Sequence, residues 1–184
     1  GAIKLGMCGP LTGGAAVYGT AVQAGMEIAV EEINAKGGLQ FALNCQDDEH
    51  DTEKAANAYN ALKDWGMQIM AGPVTTAPSN VVAAECAADE IFMLTPSASG
   101  ASVIENGSNI FQICFTDPNQ GTASADYMAS HNLGSTIGVI YDSSDAYSSG
   151  IYEKFKAQAA NVGLEIVCAE AFTADNKSDL TSQV

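Results

Sequence analysis

Thr75 and Thr76 stand just before Pro78, and Ser97 and Ser99 lie in the run Thr95-Pro96-Ser97-Ala98-Ser99-Gly100. Each pair follows a short apolar segment. Hydroxyls beside the free N–H groups of a helix start can hold a carboxylate without a cationic side chain. Free carbonyls of a neighbouring loop can accept from an ammonium. Together they suit a small zwitterion. The same residues also serve as ordinary helix caps, and from their types alone the two readings stand open.

Two tyrosines occupy comparable places. Tyr18 sits between the first strand-like and first helix-like segments, and Tyr147 opens the helix after the sixth strand. Each ring can cover the apolar part of a ligand or simply pack. Trp65, at the end of the second helix, reads as packing or surface.

Other chemistry is scarce. Gly9-Pro10-Leu11-Thr12-Gly13-Gly14 is not G-x-G-x-x-G, and Pro10 removes an N–H that a phosphate could use. No phosphate loop of the G-x-x-x-x-G-K type and no G-x-S-x-G elbow occurs. His50 lies in the acidic run Asp47-Asp48-Glu49-His50-Asp51, which lacks the Gly and terminal Glu of a calcium loop and reads as solvated. His131 lies at a helix end, where it suits the dipole. Cys8, Cys45, Cys86, Cys114 and Cys168 form no C-x-x-C pair, so no metal site is expected. They read as small buried hydrophobes, with one disulfide left open. A hydrolase or dehydrogenase shares the strand–helix rhythm described next, but its constellation is missing. No catalytic residue, metal or cofactor is therefore expected.

The elements that must position these residues alternate. Strands are expected at Ile3 to Cys8, Phe41 to Cys45, Met67 to Ala71, Ile91 to Leu94, Ile110 to Cys114, Thr136 to Tyr141 and Leu164 to Cys168. Helices are expected at Thr20 to Lys36, from Thr52 to near Gly66, and at Ser79 to Ala88, Asn119 to His131 and Tyr147 to Asn161. Residues 179–184 look like the first turn of a further helix. This order implies an α/β fold with mostly parallel sheets covered by helices on both faces. Such sheets place binding loops at the strand C-terminal ends. A boundary falls near Cys114 to Gln120, giving 1–116 as a first domain and 117–184 as the start of a second.

Apolar residues make up 47% of the 184 residues and charged ones 16%, enough to bury a core. The formal net charge of -15 repels a phosphate backbone, so nucleic acid is not an expected partner. No run is long and apolar enough to span a bilayer as a helix.

Taken together, these motifs resemble the periplasmic solute-binding proteins of branched-chain amino-acid ABC transporters, with the type I periplasmic-binding fold. The matching pieces are Ile3-Lys4-Leu5-Gly6 through Gly13, Tyr18-Gly19, Glu31 to Gly38, Asp47-Asp48, Gly72 to Thr76, Thr95 to Ser99, Phe115-Thr116-Asp117 with Gln120-Gly121, and Tyr147. The resemblance implies two doubly wound, mostly parallel lobes. Residues 1–116 would form the first ligand-binding lobe without its return crossing. Residues 117–184 would form the first part of a second lobe that is incomplete in this chain. It also implies ligand-binding roles. Thr76 would bind an α-carboxylate, the Ser97 carbonyl an α-ammonium, and Ser99 both groups. Tyr18 would flank the ligand side chain, and Tyr147 would close over it from the second lobe. A small, branched-chain or other aliphatic amino acid and a membrane permease are the implied partners. The implied location is the periplasm or the outer face of the membrane, where a lipid anchor is compatible. A receptor or sensor ectodomain is the alternative use of the same module.

Overall fold

All seven apolar segments form strands and the amphipathic stretches between them form helices in the computed structural model, which describes residues 1–178, 180, 181 and 183, and at Pro118 the backbone alone. The order is β1 (Ile3–Gly9), α1 (Ala16–Ala35), β2 (Phe41–Asp47), α2 (Thr52–Trp65), β3 (Ile69–Ala71), α3 (Thr76–Ala88), β4 (Phe92–Thr95), a short 3₁₀ helix (Ala101–Asn106), β5 (Ile110–Gln112), α4 (Asp117–Ser130), β6 (Thr136–Asp142), α5 (Ala146–Val162) and β7 (Glu165–Phe172). Two compact units result, Gly1–Cys114 and Phe115–Val184.

In the first unit five parallel strands lie in the order β2-β1-β3-β4-β5. β1 has β2 on one side and β3 on the other, so the strand order reverses there. In such sheets the crevice at the reversal, outside the strand C-terminal ends, is where ligands bind. Residues in register on parallel neighbours share a face. Cys8 faces α2 and α3, in a core with Tyr59, Leu62, Met70, Val82, Cys86, Met93, Val103 and Ile110. Full burial of each large apolar side chain contributes roughly 1.5–3 kcal/mol. Met7 pairs with Cys45 on the opposite face. There, burial and the nearby Glu27 carboxylate of α1 push the Cys45 thiol up to about 11.

Helix ends follow local chemistry. Asp51 caps α2 by accepting from Lys54 N at 2.8 Å, and Gly66 ends it in the left-handed region at φ 88°. Lys4 Nζ donates to Trp65 O at 2.6 Å at that same end, where a cation suits the dipole. Asp145 caps α5 by accepting from Ser148 N at 3.0 Å.

Several boundaries differ from expectation. α1 begins at Ala16 instead of Thr20, which places Tyr18 inside the first turn of the helix and not in a preceding loop. The early start brings Gly19 against the chain: a β-carbon there would stand 2.0 Å from Pro10 O. α3 begins at Thr76 instead of Ser79, because Pro78 is tolerated within a first turn. The 3₁₀ helix was not anticipated. β5 stops at Gln112, and β7 continues to Phe172 because its pairing with β6 runs on to Asp142.

The second unit pairs β6 and β7 in parallel, with α4 and α5 packed around Ala125, Ala159 and Leu164. His131 ends α4 as expected, with Nδ1 3.0 Å from Tyr127 O and its ring stacked on Tyr127. None of the five cysteines is in a disulfide. Cys8 and Cys86 are buried as expected, whereas Cys168 is exposed. The helical turn expected over 179–184 falls in part on Asp179, Ser182 and Val184, which lie outside the described residues.

Candidate functional site

β1, β3 and β4 are consecutive in the sheet, so their C-terminal exits lie side by side. Hydroxyl side chains lace the last two together. Thr95, fully buried at the end of β4, donates from Oγ1 to Pro73 O at 2.6 Å and accepts from Ala98 N at 3.1 Å. Ser97 Oγ donates to Val74 O at 2.7 Å. Gly100 N donates to Thr76 Oγ1 at 3.3 Å. From β5, Gln112 Nε2 donates to Ala98 O at 2.8 Å. The two loops therefore form one rigid ledge.

These bonds assign polarity. The Thr76 oxygen already accepts from Gly100, and Thr76 is the first residue of α3. Its hydroxyl hydrogen is the part of the group suited to a negative ligand, next to first-turn N–H groups that have no acceptor within the helix. Ser97 donates its hydroxyl hydrogen to Val74 O, so its side chain, like its backbone carbonyl, can offer a ligand only an acceptor. Thr76 is 4% exposed, and Ser99 is equally buried. The capping reading does not describe the Thr75, Thr76 or Ser97 hydroxyls. Thr75 occupies the cap position of α3, but its side chain makes no capping bond. Instead Thr75 Oγ1 meets His50 Nδ1 at 2.9 Å.

The five residues expected to bind ligand are thus distributed as follows. Thr76, Ser97 and Ser99 come together on the β3–β4 ledge. Tyr18 stands in the first turn of α1, above the adjoining β1 exit, with 61% of its surface exposed. Tyr147 belongs to the second unit, in the first turn of α5, where its hydroxyl donates to Gln120 Oε1 at 3.2 Å.

The acidic run after β2 departs from the solvated loop expected of it. Asp47 accepts from Leu11 N at 2.8 Å, Glu49 N at 2.9 Å and Thr12 Oγ1 at 2.5 Å. Partial burial works against its ionisation, but these bonds prevail and hold the Asp47 carboxyl below its usual value. Asp48 is completely buried; Oδ1 accepts from His50 N at 2.9 Å, and Oδ2 has no hydrogen-bonding partner among the described residues. Burial pushes Asp48 up to about 6, against the lowering effect of the His50 bond. Sequence reasoning missed Asp47, Asp48 and Thr95. The signal for the first two was a carboxylate pair at the end of an apolar strand, where a loop residue is as readily buried as solvated.

Among the described residues no group of three or more His, Cys, Asp or Glu is placed to hold a metal ion. A concavity of about 530 Å³ in the second unit is lined by Met128, Ile137, Ile151, Tyr152 and Phe155 among others. Its walls are mostly apolar and offer a zwitterion few partners. The polar groups that suit one are on the ledge of the first unit.

Comparison with known proteins follows this geometry. The family model for periplasmic binding protein matches residues 2–184. A Leu/Ile/Val-binding protein of Rhizobium johnstonii is 30% identical over 188 residues, an alignment covering 99% of this chain and 51% of that protein. The crystal structure of a leucine-binding protein from Thermotoga maritima superposes with a TM-score of 0.90 at 26% identity, covering 98% of this chain and 51% of that one. A branched-chain amino-acid transporter substrate-binding protein from Streptococcus pneumoniae, solved with isoleucine, gives 0.87 at 28% identity, covering 99% and 53%. The chain spans about half the length of the curated relatives it matches.

Proposed function

The chain belongs to the periplasmic binding protein family, and from this we propose that the whole protein captures a small amino acid with a branched or other aliphatic side chain outside the cytoplasm and delivers it to an ABC permease. One observation supports this more than any other. Thr76 combines a helix-start position, burial and an oxygen already satisfied by Gly100 N, which reserves its O–H for an incoming carboxylate. The Ser97 carbonyl and Ser99 complete the amino-acid head-group site. Tyr18 flanks the solute side chain. Tyr147 supplies an aromatic contact from the second unit. No covalent step is required. Binding exchanges water for fixed polar groups in a desolvated site, where hydrogen bonds are stronger.

The relatives named as binding leucine, isoleucine and valine give the aliphatic preference. The same family relationship supports a location in the periplasm or on the outer face of the membrane, free or lipid-anchored. Residues 1–116 are the proposed first lobe and 117–184 the start of the second. Titration calorimetry of the whole protein against a panel of amino acids tests the reading. Saturable binding of leucine, isoleucine or valine is expected, and no binding by any amino acid overturns it.

A further inference from the structure

We propose that Asp47 is a positioning residue that sets solute side-chain preference by fixing the β1 exit, and with it the first turn of α1 that carries Tyr18. The proposal rests on the binding reading above. Asp47 is the last residue of β2 and lies in register with Gly9, the last residue of β1. Its Oδ1 accepts from Leu11 N at 2.8 Å, from Thr12 N at 3.4 Å and from Glu49 N at 2.9 Å, while Oδ2 accepts from Thr12 Oγ1 at 2.5 Å. One carboxylate therefore gathers the loops leaving two adjacent strands. The neighbouring Asp48 N donates to Gly9 O at 3.0 Å and reinforces the join.

Beyond Thr12 the turn into α1 is held by bonds internal to itself, from Ala16 N to Gly13 O and from Tyr18 N to Ala15 O. Pro10 supports the first turn from below, through the close approach of Gly19. Tyr18 is thus placed between two anchors, Pro10 under the helix and Asp47 on the loop that enters it. Oδ1 is the acceptor that matters most, since three backbone N–H groups meet it, whereas Oδ2 meets only the Thr12 hydroxyl. The bonds that build the polar ledge run between the β3, β4 and β5 ends without Asp47, and only the His50–Thr75 contact joins the two regions, so the head-group and side-chain contacts can be perturbed separately through Thr12.

The test measures alanine and leucine affinities of the whole protein by calorimetry, for wild type, Asp47→Ala, Thr12→Val and Thr12→Ser. Asp47→Ala is expected to lower leucine affinity roughly tenfold and alanine affinity less than about twofold, because the leucine side chain reaches beyond the single methyl of alanine and has more apolar surface to lose against Tyr18. Thr12→Val should give a smaller loss in the same direction, and Thr12→Ser should restore wild-type preference. Thr12 is exposed, so the Thr12 pair decides the matter if Asp47→Ala does not fold. Equal losses for both solutes, or no loss in any variant, overturn the proposal and leave the binding reading intact. A wild type that binds no amino acid overturns both.

Discussion

Gly100 approaches Thr76 so closely that a β-carbon on it would lie 2.4 Å from the threonine γ-methyl, while its N–H donates to Thr76 Oγ1 at 3.3 Å. The same contact that satisfies the threonine oxygen also fixes its rotamer. Gly100→Ala should therefore act through sterics alone, since the backbone at Gly100 (φ -61°) is open to any residue. Displacing Thr76 should cost about 1–3 kcal/mol of stability, as overpacking does. Urea unfolding checks this, and a variant as stable as wild type would show that the ledge is softer than its geometry indicates.

Thr95 is the hub of that ledge. Thr95→Val keeps the volume and loses two buried hydrogen bonds, leaving Pro73 O and Ala98 N without that partner. A loss of about 1–3 kcal/mol in unfolding free energy is expected. Thr95→Ser keeps the hydroxyl and should recover the larger part. Equal losses in the two variants would assign the effect to packing.

Gly19→Ala places a β-carbon 2.0 Å from Pro10 O, a backbone atom that cannot rotate away. The first turn of α1 must shift. The expected result is a drop in thermal midpoint together with a change in Tyr18 fluorescence or NMR shifts, which a purely remote destabilisation would not produce.

Asp48 gives a pH signature of known sign. Burial raises its folded value from 3.8 to about 6, so between those limits the folded state binds the extra proton. Its effect is therefore to lower stability as pH rises from about 4 to about 6, by at most about 3 kcal/mol. Asp48→Asn removes this dependence while keeping an acceptor for His50 N. The stability gained by the variant over wild type should grow through that interval and level off above it. A difference that is flat with pH, or that grows on acidification, would contradict the burial of an unpartnered carboxylate oxygen.

The sequence was most informative where a single residue type has one physical consequence. Apolar runs of strand length alternating with longer amphipathic stretches identified every strand and the five α-helices. Gly66 marked the end of α2 because of what its backbone permits. Thr76, Ser97 and Ser99 were legible as a group because each follows a strand and bears a hydroxyl. What could not be read was long-range. The order β2-β1-β3-β4-β5 depends on crossovers, and nothing in Gly9 or Ala71 announces that their strands are neighbours. The role of Asp47 depends on its meeting Thr12 across two strand ends, so a local reading returned only an acidic loop. The early start of α1 goes with Gly19 resting against Pro10, a contact with no signature in helical periodicity.

The central claim is that the Thr76 hydroxyl meets the solute carboxylate, and the dissociation constant of leucine for the whole protein with Thr76→Ala, compared with wild type and Thr76→Ser, tests it most directly. The account predicts a weakening of about 1–3 kcal/mol for alanine at this position and near-wild-type binding for serine. An unchanged dissociation constant in Thr76→Ala would contradict it.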